Sequence, residues 1–170
     1  MSVPPAIERH TMAVIVDNEP GVLARVIGLF SGRGYNIESL TVAAVAPDAS
    51  QSRINIVTSG TPMVIEQIKA QLQRLVPIHS VHDLTAEGAH IERELALVKV
   101  VGKGAKRLEA LRIADIFGAK VSDTTIESFV FSLTGSPEKL DSFIELMRAL
   151  GQVELARSGV VAIARGARAI

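Results

Sequence analysis

Thr11-Met12-Ala13-Val14-Ile15-Val16-Asp17-Asn18-Glu19-Pro20-Gly21-Val22-Leu23 changes its periodicity halfway along, and that change decides the fold. Residues 11–17 are a near-continuous run of β-favouring side chains, the pattern of a central strand covered on at least one face. Asn18-Glu19-Pro20-Gly21 breaks the run. Beyond it Val22, Val26, Leu29 and Phe30 recur at helical spacing, and Leu23 and Ile27 widen the stripe. Pro20 suits the first helical position, and Gly32 and Gly34 suit the end.

Working outward, residues 36–46 and 52–59 read as strands joined by the polar turn Pro47-Asp48-Ala49-Ser50, a hairpin. Thr61-Pro62 is an N-cap followed by a first-turn proline. Ile65, Ile68, Leu72 and Leu75 then repeat at helical spacing until Pro77, and residues 78–84 close a fourth strand. The first half is therefore β-α-β-β-α-β, with two helices on one face of a four-stranded antiparallel sheet. Residues 85–90 carry no periodicity and read as a linker or strand extension. The second half repeats the order: strand 95–101, helix ending at Gly118, strands 120–124 and 128–134, a helix opened by Ser136-Pro137, and strands 152–156 and 160–164. The expected fold is α+β, tandem ferredoxin-like βαββαβ units, with domains at 10–84 and 85–170.

The composition narrows the function. In 170 residues, 48% are hydrophobic and 21% charged, enough apolar material for packed cores. Eighteen Lys+Arg balance 18 Asp+Glu, so no net field favours nucleic acid or an anionic membrane as partner. The chain has no Cys, which removes disulfide frameworks and thiolate chemistry together. Residues 1–10 have no apolar leader core and no apolar run approaches the ~20 residues of a membrane span, so a cytoplasmic location is expected.

Few residues suggest chemistry. His79 and His82, three apart in a strand, point to opposite faces and read as edge or surface histidines rather than a metal pair. No serine lies in a nucleophile elbow and no acid-base pair stands out, so no catalytic residue and no metal site is assigned. Gly102-Lys103-Gly104, followed by Lys106 and Arg107, has the ingredients of an anion site but reads first as a tight strand-to-helix turn with solvated charges. More informative is the loop 17–23, where Gly21 permits close backbone approach and the helix start offers unpaired N–H groups suited to a small carboxylate. Asn18 adds an amide that both donates and accepts, fitting a zwitterion; the bland alternative, Asn18 as a plain helix cap, weighs about equally on spacing.

Asn18-Glu19-Pro20-Gly21-Val22-Leu23-Ala24-Arg25-Val26, Phe30, and the run from Arg33-Gly34-Tyr35-Asn36-Ile37 through Glu38-Ser39-Leu40-Thr41-Val42 closely resemble the ACT domain of the small regulatory subunit of acetohydroxyacid (acetolactate) synthase. Gly88-Ala89-His90-Ile91-Glu92-Arg93-Glu94-Leu95 and Ala156-Arg157-Ser158-Gly159-Val160-Val161 resemble that subunit's linker and C-terminal domain. The resemblance implies a non-catalytic subunit that activates a separate catalytic (large) subunit in branched-chain amino-acid synthesis and makes it sensitive to valine. It implies no cofactor on this chain, with thiamine diphosphate, Mg and FAD on the catalytic partner. It implies a homodimer of ACT domains with the effector between them, held by Asn18, Gly21 and the backbone of Val22 and Leu23 from one chain and by Asn36 and Ile37 from the other. The second half has no equivalent of Asn-Glu-Pro-Gly, so no effector site is expected there.

Overall fold

The computed structural model describes residues 4–170. The first six elements run β1 (Glu8–Asp17), α1 (Val22–Arg33), β2 (Ser39–Ala44), β3 (Gln51–Gly60), α2 (Pro62–Gln73) and β4 (Ile78–Asp83). The strands form one antiparallel sheet in the order β2-β3-β1-β4, which leaves β2 and β4 as its edges. Alternate residues of the two central strands, Met12 opposite Ile56 and Val14 opposite Ile54, face the helices and are fully buried. Val22, Val26 and Phe30 of α1 and Ile65, Ile68 and Leu72 of α2 meet them. Each such side chain contributes about 1.5–3 kcal/mol by leaving water, which is what holds two twelve-residue helices on the sheet.

The helix ends differ in how they are made. Thr61 caps α2 by accepting from the Val64 N–H, with Pro62 at the first helical position, as its sequence indicates. The start of α1 does not follow the expected pattern. Its cap is Gly21, at φ 86° in the left-handed region, with no side-chain cap, so Pro20 lies in the turn before the helix rather than in its first turn. Gly34, at φ 69°, ends α1 by returning its N–H to the carbonyls of Phe30 and Ser31. The strand expected from residue 36 begins only at Ser39.

Residues 85–90, expected to be a linker, begin instead in a one-turn helix, α3 (Leu84–Glu87). The missed signal was Asp83, whose carboxylate accepts from the Ala86 N–H at 3.2 Å, and Leu84, which is buried. Asp83 also receives His10 Nδ1 at 2.8 Å, a buried pair that ties the start of β1 to the end of β4.

The next elements are β5 (His90–Val101), α4 (Ala105–Phe117), β6 (Lys120–Thr124), β7 (Ser128–Gly135), α5 (Pro137–Arg148) and β8 (Gln152–Arg157), again βαββαβ with strand order β6-β7-β5-β8. Its core is more aromatic: Phe131 meets Phe143 edge-on at 6.0 Å beneath Val98, Leu140 and Met147. Buried Glu94 receives Arg157 at 2.9 and 2.7 Å, and Arg157 also reaches Asp141 at 2.6 Å. The Glu94 hydrogen bonds hold the Arg157 guanidinium above its ordinary pKa.

The compact units do not divide at 84/85. One comprises the described residues up to Ile91 together with Val160–Ile170; the other is Glu92–Gly159. The last strand, β9 (Val161–Ala164), pairs with β5, and the Arg165 N–H reaches the Ala89 carbonyl at 3.0 Å. Residues 160–170, expected in the second domain, therefore belong to the first. Ala162 and Ala164 pack with Ala13 and Leu84 on the sheet face opposite α1 and α2, where Arg53 donates to the Ala162 carbonyl at 2.6 Å. Ser39 and Thr41 of β2 bond both backbone groups of Val160. No helix among the described residues is long and apolar enough to cross a membrane.

Candidate functional site

β1 hands the chain to α1 through Asn18-Glu19-Pro20-Gly21, and the hairpin turn between β2 and β3 fixes that loop. The Asn18 N–H donates to the Ser50 carbonyl at 2.9 Å and Asn18 Nδ2 donates to the Ala49 carbonyl at 2.8 Å. Asn18 is therefore not the helix cap. Its amide nitrogen is spent on the hairpin, and Oδ1 remains as an acceptor, the group an ammonium requires. Ala49 stands at φ 55°, a left-handed conformation that costs a non-glycine residue about 1–2 kcal/mol, so the turn holding Asn18 is itself strained. Sequence reading assigned residues 47–50 only a turn; their part in clamping Asn18 carries no local signal because the partner lies 31 positions away.

Gly21 follows on the open side of the loop. An added Cβ there would meet nothing within 4 Å. The Val22 N–H makes a long 3.4 Å bond to the Glu19 carbonyl, while the Val22 side chain is buried in the core, so Val22 can offer the site only its weakly engaged N–H. Leu23 is 37% exposed and brings both an apolar side chain and a first-turn N–H. The assembly of loop carbonyl acceptor, uncapped helix start and exposed leucine is suited to a small apolar zwitterion: ammonium toward Asn18 Oδ1, carboxylate toward the helix N-terminus.

Asn36 and Ile37 stand elsewhere. Both lie in the link from α1 to β2, where the Asn36 carbonyl accepts Thr58 Oγ1 at 2.6 Å, its side chain is exposed, and Ile37 is half-buried against the core. α1 separates this pair from Gly21 by its twelve residues, about 18 Å of helix. Within one chain, Asn18, Gly21, Val22 and Leu23 come together, and Asn36 and Ile37 do not join them.

The other candidates resolve structurally. His79 pairs with Asp17 at 2.5 Å and His82 with Glu87 at 3.3 Å, and among the described residues no group of three or more His, Asp or Glu is placed to hold a metal. In the Gly102-Lys103-Gly104 turn, Lys103 pairs with Glu127, and the Arg107 guanidinium lies 3.8 Å over the Phe129 ring, so two of the three cations, Lys106 being the third, have protein partners.

A ferredoxin-like unit whose central strand opens onto an uncapped helix start is the frame of an ACT-type domain, and a family model described as the AHAS small subunit-like ACT domain matches residues 12–80. A second model, the small subunit of acetolactate synthase, matches residues 93–166. The chain belongs to the acetolactate synthase small-subunit family. It is 46% identical over 158 residues to the probable acetolactate synthase small subunit of Archaeoglobus fulgidus, covering 93% of this chain and 98% of that one. It is likewise 46% identical to the acetolactate synthase isozyme 3 small subunit of Escherichia coli, covering 93% and 96%. Among solved structures it resembles the acetolactate synthase small subunit of Thermotoga maritima, with TM-score 0.82 and 35% identity over 95% of this chain and 99% of that one.

Proposed function

We propose that this chain is the non-catalytic regulatory subunit of acetolactate synthase, raising the activity of a separate catalytic chain and making it sensitive to valine. Thiamine diphosphate, Mg and FAD would then belong to the catalytic chain. The observation that supports the effector reading is that the Asn18 loop and Asn36 stand at opposite ends of α1. The Asn18 loop is clamped to the turn that follows β2, whereas Asn36 immediately precedes β2. β2 is an edge strand of six residues, about 20 Å long, that pairs with β3 on its inner side and carries the exposed Val42. Antiparallel pairing of two β2 edges about a two-fold axis would set the start of one β2 beside the end of the other. That brings Asn36 and Ile37 of one chain to the Asn18, Gly21 and Leu23 of its partner, completing two equivalent sites per dimer.

Inhibition follows by linkage. Valine bound more tightly in the less activating conformation draws the dimer toward it, and a coupling of about 1–3 kcal/mol is typical. Mixed dimers test the shared site. With Asn18→Ala on one chain and Asn36→Ala on the other, a shared arrangement leaves one site with both residues and one with neither, so calorimetry gives one valine per dimer at native affinity. A site confined to one chain would leave none intact, and complete loss of tight binding would reject the shared model.

A further inference from the structure

We propose that the outer face of α1 is the surface on which this subunit docks an acidic amphipathic helix of the catalytic chain. The inference rests on the regulatory reading above and names the surface that serves it. A shallow groove of about 600 Å³ is lined by Arg25, Gly28, Leu29, Gly32 and Arg33 of α1 and by Leu75 after α2. The side chains of both arginines lack any ion-pair or hydrogen-bond partner among the described residues, and no acidic side chain lines the groove. The twelve residues of α1 include no Asp or Glu at all. Arg33, in the last turn, gains from the helix dipole, but Arg25 sits near the N-terminal end where a cation is disfavoured, and no acidic side chain among the described residues pairs with it.

The geometry selects the occupant. Arg25 and Arg33 are eight residues apart, about 12 Å along the helix, too far to converge on one small anion but matched to acidic groups two turns apart on a facing helix. Between them Gly28 and Gly32 lie one turn apart on the exposed side, and a Cβ at either would meet nothing within 4 Å. Their missing side chains leave a floor on which a second helix can approach closely, with Leu29 and Leu75 as apolar walls. Charge at the rim and apolar contact along the floor are together the requirements for a specific, salt-sensitive helix-on-helix contact.

The test uses the full chain with the catalytic subunit of the same organism. Association is measured directly by calorimetry and through the concentration of this chain that gives half-maximal stimulation of acetolactate formation. The double reversal R25E/R33E is expected to raise the dissociation constant and the half-maximal concentration by at least tenfold, to flatten their dependence on salt, and to leave valine binding to the isolated chain and its melting curve unchanged. Gly28→Leu, which fills the floor without altering charge and improves helix propensity, is expected to weaken association by a similar factor. Native association by both variants would overturn the proposal. So would a double reversal that turns the isolated chain into a monomer, since the face would then belong to the contact between two copies, or one that abolishes valine binding, which would place Arg25 in the effector site. A wild-type chain that neither binds nor stimulates the catalytic subunit would overturn the regulatory reading itself, and this surface with it.

Discussion

Replacing Gly21 by Asp separates binding from folding at the proposed effector site. At φ 86° an L-residue pays about 1 kcal/mol for the left-handed conformation. The space is open, since an added Cβ meets no atom within 4 Å, so no packing is lost. A carboxylate at a helix start contributes about 0.3–1 kcal/mol of favourable dipole interaction, so the two effects largely offset and the net loss is at most about 1 kcal/mol. In a chain of this length that is about 2–4 °C of melting temperature. Valine faces a different balance. Its carboxylate would meet a second negative charge about 4 Å away, and near a protein surface such a repulsion reaches about 4 kcal/mol. The expected result is a weakening of valine binding by at least about 100-fold, with the dimer and most of the stimulation of the catalytic subunit retained. Gly21→Ala provides the control: the same backbone strain, no charge, and a far smaller change in affinity. Calorimetry on the isolated chain with a parallel thermal melt measures both quantities. A Gly21→Asp chain that melts near the wild type and still binds valine within threefold of it would refute the placement of the carboxylate at the start of α1.

Asn18→Ala removes the Oδ1 acceptor together with the bond to the Ala49 carbonyl. It should weaken valine binding by about 1–3 kcal/mol in an equilibrium titration, and unaltered affinity would remove Asn18 from the site. Asn36→Ala, whose side chain is exposed and whose carbonyl still receives Thr58, should leave the melting temperature unchanged while weakening valine binding. If two copies pair through β2 as proposed, a charge placed at that edge, Val42→Lys, should shift the isolated chain from dimer toward monomer in light scattering; an unchanged dimer would exclude that edge. In the second unit, Glu94→Ala leaves Arg157 with only its exposed Asp141 contact, and a loss of about 3 kcal/mol is expected in chemical denaturation, with little effect on valine binding.

The βαββαβ order was readable in both halves because each element carries its own periodicity, from the continuous run of residues 11–17 to the helical spacing of Leu140, Phe143, Ile144 and Met147. What escaped depends on distant partners. Residues 160–164 read correctly as a strand, but nothing local shows that Ala162 and Ala164 pack against Ala13, so their membership in the first unit was hidden. The Asp83 cap looked like the end of a strand, because its signal for α3 lies in one carboxylate and one buried leucine. At the candidate site, Gly21 and the helix start were legible from strand-breaking residues before an apolar stripe. The choice between Asn18 as cap and Asn18 as ligand was not, since it turns on a hairpin carbonyl 31 residues downstream. The helical face formed by Arg25, Gly28, Gly32 and Arg33 was visible only as breaks in the apolar stripe; that its arginine side chains have no ion-pair partner among the described residues is a property of the folded chain.

The central claim, that a chain with no reaction centre of its own governs a catalytic partner through a valine site shared by two copies, meets its most direct measurement in reconstitution. The purified chain is mixed with the catalytic subunit of its own organism, acetolactate formation is followed, and valine is titrated. The expected result is that this chain alone forms no acetolactate, that adding it raises the partner's rate to a saturating level, and that valine lowers the stimulated rate but not the rate of the catalytic subunit alone. A rate that valine leaves unchanged in the reconstituted enzyme, or product formed by this chain in isolation, would contradict the account.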